Sequence, residues 1–140
     1  MIGLKFGARN ICSGSKIETR IKGKPYNIKM DVKILEMIIE NITSNAFKYS
    51  QDRPDPILEI DFQESKLVLI LQDFGIGIPV LDQPKLFEQF FRASNVGKIK
   101  GVGLGLVIVK NMVELLQGNL KIESEEGKGT RIKIDFKNNI

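Results

Sequence analysis

The chain reads as an α+β domain: one mixed sheet with its apolar face covered by helices. Three observations predict this class. Strand-like runs come in pairs joined by short polar turns, as at Ile57 to Phe62 and Lys66 to Asp73. Helical segments are not interleaved one per strand, which argues against a doubly wound sheet. After Asp31, the residues Ile34, Leu35, Ile38, Ile39, Ile42 and Ala46 recur at helical spacing and give one long apolar stripe.

The elements follow in order. Residues 1–16 are weakly patterned and read as a linker or tail, which leaves 17–140 as the folded unit. Lys16 to Ile21 alternates like a strand, Gly23-Lys24-Pro25 marks a turn, and Tyr26 to Met30 alternates again as a second strand. Asp31 is a good N-cap for a helix reaching about Ser50. Gln51 to Pro56, with two prolines and two aspartates, is a loop before the hairpin already named. Gly75 to Pro79 is a turn, and Pro84 to Arg92 reads as a short helix. Ala93 to Gly101 is a polar connection, and Val102 to Leu116 is a second strong helix stopped at Gly118. Asn119 to Glu123 and Thr130 to Phe136 close the sheet around the Gly127–Gly129 turn.

Bulk composition narrows the function. A chain of 140 residues suits one domain and buries about two-thirds of its unfolded surface. The longest aliphatic run, Leu67 to Leu71, is far short of the roughly 20 residues a membrane span needs. The single Cys12 forms no internal disulfide, which fits a reducing, cytoplasmic setting. Net charge is +4, but residues 1–33 hold eight Lys or Arg against two acids while the other 107 hold 13 against 15. The basic excess is N-terminal and has no interleaved aromatics, so nucleic acid is not the expected partner. There is no histidine. That removes Ser-His-Asp and Cys-His catalysis, HExxH zinc sites and the HRD loop of Ser/Thr/Tyr kinases. The Asp73-Phe74-Gly75 triplet is therefore an accidental DFG.

Within the long helix, ENITSNAFKYS (40–50) places Asn41 and Asn45 one turn apart, although Asn is a poor helix former. With Asn45 at zero, Asn41 falls at about −40° and Lys48 at about −60°, beside the apolar stripe at about +20° to +120°. A polar border there suits the wall of a cleft. An Asn oxygen is a neutral hard ligand suited to Mg²⁺ already neutralised by phosphate, and Lys48 pairs with phosphate as a point charge. Tyr49, on the core side, offers a ring to a flat ligand. The alternative is an Asn pair that is solvated or bonded locally.

Two glycine clusters follow. In QDFGIGIP (72–79), Asp73 ends a strand beside Gly75 and Gly77, which permit positive φ and a close ligand. A carboxylate there accepts hydrogen bonds, as from the amine of adenine; a tight turn stabilised by Asp is the alternative. KGVGLGL (100–106) opens the second helix, where free N–H groups favour phosphate. Its GxGxG spacing is neither the dinucleotide fingerprint nor a P-loop. Between them, LFEQFFRAS (86–94) sets Phe87, Phe90 and Phe91 at helical spacing, either to pin a lid or as ordinary core aromatics.

In this order the segments resemble the catalytic, ATP-binding domain of sensor histidine kinases, in the gyrase–Hsp90–histidine kinase–MutL superfamily. ENITSNAFKYS is similar to the N box, DFGIGIP to the G1 box, LFEQFFRAS to the F box, GVGLGL to the G2 box, and EEGKGTRIKI (125–134) to the closing glycine–threonine segment. The resemblance covers about residues 17–136. It implies a two-layer α/β sandwich, a mostly antiparallel sheet under about three helices, with ATP beneath a flexible lid over residues 80–101. By that similarity Asn45 holds Mg²⁺, and Asn41 and Lys48 face the phosphates. Tyr49 packs near the nucleoside, and Asp73 binds the adenine amine with Thr130 in support. Gly75, Gly77 and Ile78 line the base pocket. Gly101, Gly103, Leu104, Gly105 and Leu106 cradle the phosphates, and Arg92, Lys98 and Lys100 are lid contacts.

ATP-hydrolysing members of the superfamily carry a Glu one turn before the metal-binding Asn. Asn41 occupies that position and is no base, and Glu40 points about 100° away. Phosphoryl transfer is therefore expected rather than efficient hydrolysis. The acceptor histidine and its dimerisation domain are absent from the chain, so the implied partners are that domain, a response regulator indirectly, and ATP. This domain alone is expected to be monomeric. The alternatives are a stand-alone serine kinase of the anti-sigma type, against which Asn41 and the F box count, and a non-catalytic nucleotide-sensing module.

Overall fold

A computed structural model describes residues 17–89, 91–95 and 105–138. Among the described residues, five strands form one sheet: β1 (Glu18–Gly23), β2 (Ile57–Phe62), β3 (Lys66–Gln72), β4 (Asn119–Glu125) and β5 (Gly129–Lys137), in the order β1-β2-β3-β5-β4. Only β1–β2 is parallel, with Glu18 opposite Ile57; the other pairs are antiparallel. The expected hairpin is present, with Ile57 opposite Gln72 and Phe62 opposite Leu67.

The long helix, α1 (Val32–Lys48), starts where the cap chemistry predicts. The Asp31 carboxylate accepts the Lys33 and Ile34 backbone N–H groups at 3.0 and 3.2 Å, meeting two donors that the helix itself leaves unpaired. The second helix is described over α2 (Gly105–Leu115); the rest of its expected first turn lies outside the described residues.

Both helices lie on one face of the sheet. The α1 stripe (Leu35, Ile38, Ile39, Ile42) joins Val109 and Val113 of α2 over Leu58, Leu69, Ile134 and Phe136 of the sheet in one buried cluster. Alternation along β2 shows why: every second residue is buried. Truncating a fully buried member such as Leu35 to Ala costs roughly 2–5 kcal/mol. The opposite face carries charged side chains, with ion pairs such as Lys22–Glu59 at 2.8 Å and Lys121–Glu123 at 3.0 Å. Two layers result, as the sequence implies.

Two expectations fail. Tyr26 to Met30 is not a strand. Its alternation instead seats an extended segment: Ile28 is buried, the Tyr26 ring stands edge-on to Phe62 at 5.2 Å, and its hydroxyl donates to the Gln63 carbonyl at 2.6 Å. Over its described residues, Pro84 to Arg92 is not an α-helix either. A 3-10 helix runs from Val80 to Lys85, and the turns beyond it keep i→i−3 bonds, from Glu88 to Lys85 at 3.0 Å and from Phe91 to Glu88 at 3.3 Å. Among the described residues, two α-helices and this 3-10 helix stand where about three helices were expected.

Candidate functional site

A cavity of about 360 Å³ opens between α1, α2 and the turn after β3. Its α1 wall is Ile42, Asn45, Ala46, Lys48 and Tyr49. The turn contributes Asp73, Ile76, Gly77 and Ile78, and β5 contributes Thr130 and Ile132. Gly105 and Leu106 of α2 face it, and Leu86, Phe91, Arg92 and Ala93 close the remaining side. The volume falls within the range of ordinary small-molecule sites.

Asp73 is the polar centre. It is buried, and its Oδ1 accepts the Gly75 N–H at 2.9 Å and the Thr130 N–H at 3.0 Å. Burial raises its carboxyl above the ordinary range, against the lowering pull of these two N–H groups. The carboxylate is thus fixed through one oxygen, and its residue lines the cavity. Thr130 is fixed in turn, its hydroxyl 2.9 Å from that of Ser124.

The glycines hold this wall in different ways. Gly77 has φ +67°, and a Cβ there would land on the Glu125 carbonyl. Gly75 has no positive φ; a Cβ there would meet the Tyr49 carbonyl. Gly75 is accordingly not among the cavity-lining residues. What it permits is close backbone contact, sealed by the Ile76 N–H to the Tyr49 carbonyl at 3.1 Å.

At the other end, the Asn45 amide lies 2.8 Å from where a Cβ on Gly105 would sit. A larger residue at 105 would displace it. Asn41, one turn earlier, is not brought to the cavity: its Nδ2 donates to the Met37 carbonyl at 2.7 Å within its own helix. Lys48 lines the cavity with its ammonium 5.5 Å from the centre of the Tyr49 ring. Lys98, Lys100, Gly101, Gly103 and Leu104 lie outside the described residues.

The segment toward the expected lid is tied to this frame. Asp82 accepts both the backbone N–H and the hydroxyl of Ser94, at 2.9 and 2.8 Å, and these bonds lower its carboxyl pKa. The Asn95 amide donates to the Gly77 carbonyl at 2.9 Å. Gln83 bridges the Ile78 and Ser124 carbonyls, both at 3.0 Å. The Phe87 ring takes the Lys110 ammonium at 5.1 Å.

Residues 30–140 match the family model described as histidine kinase-, DNA gyrase B-, and HSP90-like ATPase. The chain belongs to this ATPase family. Among curated relatives in the family's kinase branch, the sensor histidine kinase WalK of Bacillus subtilis is 38% identical over 109 residues, 75% of this chain and 18% of WalK. YxdK, a sensor histidine kinase of the same organism, is 31% identical over 113 residues, 79% of this chain and 35% of YxdK. The chain thus spans about a third or less of these relatives' length. The solved mycobacterial sensor histidine kinase MprB superposes with a TM-score of 0.71 at 28% identity, covering 88% of this chain and 84% of that one. Family membership implies ATP binding.

Of the apolar lining, sequence reasoning named Ile78 and Leu106 and missed the rest. Ile42 and Ala46 belong to the helix stripe, and Ile132 alternates inward on β5, so periodicity alone marks all three as core. Leu86 and Phe91 carried a signal in the phenylalanine segment. Ala93 lies in the same segment and Ile76 in the first glycine cluster, neither with a signal of its own.

Proposed function

We propose that the cavity binds Mg²⁺–ATP. In this reading the chain is the catalytic domain of a sensor histidine kinase, and it delivers the γ-phosphoryl group to a histidine on a separate dimerisation domain. The observation that carries the proposal is the Asp73 carboxylate, fixed through one oxygen by Gly75 and Thr130 at the cavity wall. A carboxylate so held accepts from the exocyclic amine of adenine with its other oxygen. Ile78, Leu106 and Ile132 supply apolar surface for the base and Tyr49 an aromatic ring.

The phosphate end falls to Asn45, Lys48 and Arg92, with Gly105 leaving room against α2. The donor set fits Mg²⁺, which takes few protein ligands when phosphate oxygens supply the rest, so one neutral amide oxygen from Asn45 suffices. An ion held there would supply positive charge to offset that of the triphosphate. Lys48 and Arg92 orient the triphosphate. Transfer breaks the bond between the γ-phosphorus and the bridging oxygen, forms a bond to the histidine nitrogen, and leaves ADP. Among the described residues, Asp73 is the only carboxylate lining the cavity, and it sits at the base end. Nothing there activates water, so slow hydrolysis is part of the proposal.

The sensor kinases among the relatives favour histidine over serine as acceptor. A cytoplasmic position and an indirect response-regulator partner belong to the same reading; no helix among the described residues is long and apolar enough to cross a membrane. The test supplies labelled ATP, Mg²⁺ and histidine-bearing helical domains of the relatives in trans. Acid-labile, base-stable label on those domains supports the proposal. Acid-stable label on a serine protein, with none on histidine, replaces it with the anti-sigma-type alternative.

A further inference from the structure

Arg53 lies in the loop after α1, on the outside of the turn whose inner side lines the cavity. Its Nη1 donates to three backbone carbonyls: Gly127 at 2.7 Å, Gly75 at 3.0 Å and Phe74 at 3.4 Å. Two of these belong to the turn after β3 and one to the β4–β5 turn. The same segments hold Asp73, because Gly75 and Thr130 donate to its carboxylate. The Asp73 N–H also donates to the Thr130 carbonyl at 2.9 Å, and the Gly127 N–H to the Ile76 carbonyl at 2.7 Å. The contact between segments leaves no slack, since a Cβ on Gly129 would land on the Asp73 carbonyl. Arg53 itself is exposed and does not line the cavity.

From this we infer that Arg53 is a positioning residue for base recognition: its guanidinium binds the two turns together from outside and so fixes where the Asp73 carboxylate points. All three bonds run from the single Nη1 nitrogen, whose two hydrogens are shared among them, and the planar guanidinium behind it fixes their direction. Three carbonyl dipoles converge on one side of the group, and a neutral residue leaves them to water. A lysine ammonium also gathers its donors on one nitrogen, but its flexible stem holds that nitrogen in place less firmly. The loop sequence QDRPDP explains the reach. Asp52, at φ +63°, turns the chain, and the Arg53 N–H closes the turn on the Ser50 carbonyl at 3.1 Å.

This inference rests on the reading of Asp73 as the adenine contact, and the test separates the two. Affinities for ATP and for inosine triphosphate, which lacks the exocyclic amine, are measured for wild type, Arg53→Ala and Arg53→Lys, with thermal unfolding of each as a folding check. The wild type prefers ATP. Arg53→Ala narrows that preference about fivefold or more, chiefly through weaker ATP binding, and Arg53→Lys restores part of it. An equal loss for both nucleotides, or an unchanged preference, overturns the positioning role. If the wild type shows no preference for ATP, the reading of Asp73 fails first. Should Arg53→Ala not fold, Arg53→Lys and Arg53→Gln carry the same comparison.

Discussion

The Asp73 carboxylate accepts the Thr130 backbone N–H at 3.0 Å, across the gap between β3 and β5. Strand geometry therefore holds this acid at the cavity wall, and burial raises its carboxyl above the ordinary range. The folded state binds the proton more tightly than the unfolded chain. Ionisation thus costs stability, and that cost is fully present above the folded value and relieved as pH falls through it. Asp73→Asn keeps an acceptor for both N–H groups and carries no charge. It is expected to raise the melting temperature at neutral pH, with the gain over wild type shrinking as the solution is acidified. Thermal melts across pH check this, and a gain independent of pH contradicts it.

Gly77→Ala brings a side chain into the left-handed region and onto the Glu125 carbonyl. The backbone term alone costs about 1–2 kcal/mol, and relief of the clash moves the turn away from β4. Chemical denaturation is expected to show at least that loss, and nucleotide titration a cavity that no longer binds.

The two asparagines of α1 are not equivalent. Asn45 lines the cavity beside Gly105, whereas the Asn41 amide is engaged with Met37. Asn45→Ala is expected to reduce Mg²⁺-dependent ATP affinity tenfold or more, about the loss of one charge-assisted interaction. Asn41→Ala should reduce it distinctly less. Titration with and without Mg²⁺ checks both; a loss in Asn45→Ala that persists without Mg²⁺ contradicts the metal role.

Asp82 holds Ser94 by two bonds at the protein surface. Its lowered carboxyl pKa makes the link present above the ordinary carboxylate range and lost as pH falls through the lowered value. Asp82→Ala is expected to speed amide exchange at Ser94 while exchange in α1 stays unchanged, with little change in melting temperature because the site is exposed.

Where chemistry and periodicity agreed, the fold was legible in the sequence. Asp31 announced the helix start, and the paired strand-like runs, with helices not interleaved one per strand, announced an α+β sheet. Tyr26 to Met30 misled because alternation reports burial on one side, and here the second partner is the Phe62 ring rather than a strand ladder. Pro84 to Arg92 misled because phenylalanines at helical spacing say nothing of whether the backbone closes i−4 or i−3 bonds. In the cavity, Asn45, Asp73 and Gly105 stood out as residues that a plain core has no use for. Ile42 and Ile132 did not, since an apolar residue facing a cavity has the same pattern as one facing the core. Arg53 was invisible for another reason: its three partners are backbone carbonyls 21 to 74 positions away.

The central claim is that ATP binds in this cavity with its base on Asp73. Calorimetric titration of Mg²⁺–ATP into wild type and Asp73→Ala, both shown to be folded, tests it most directly. One-to-one binding by the wild type, weakened a hundredfold or more in the variant, about the cost of leaving buried polar partners unpaired, is the result expected. Equal affinity in the two proteins would contradict it.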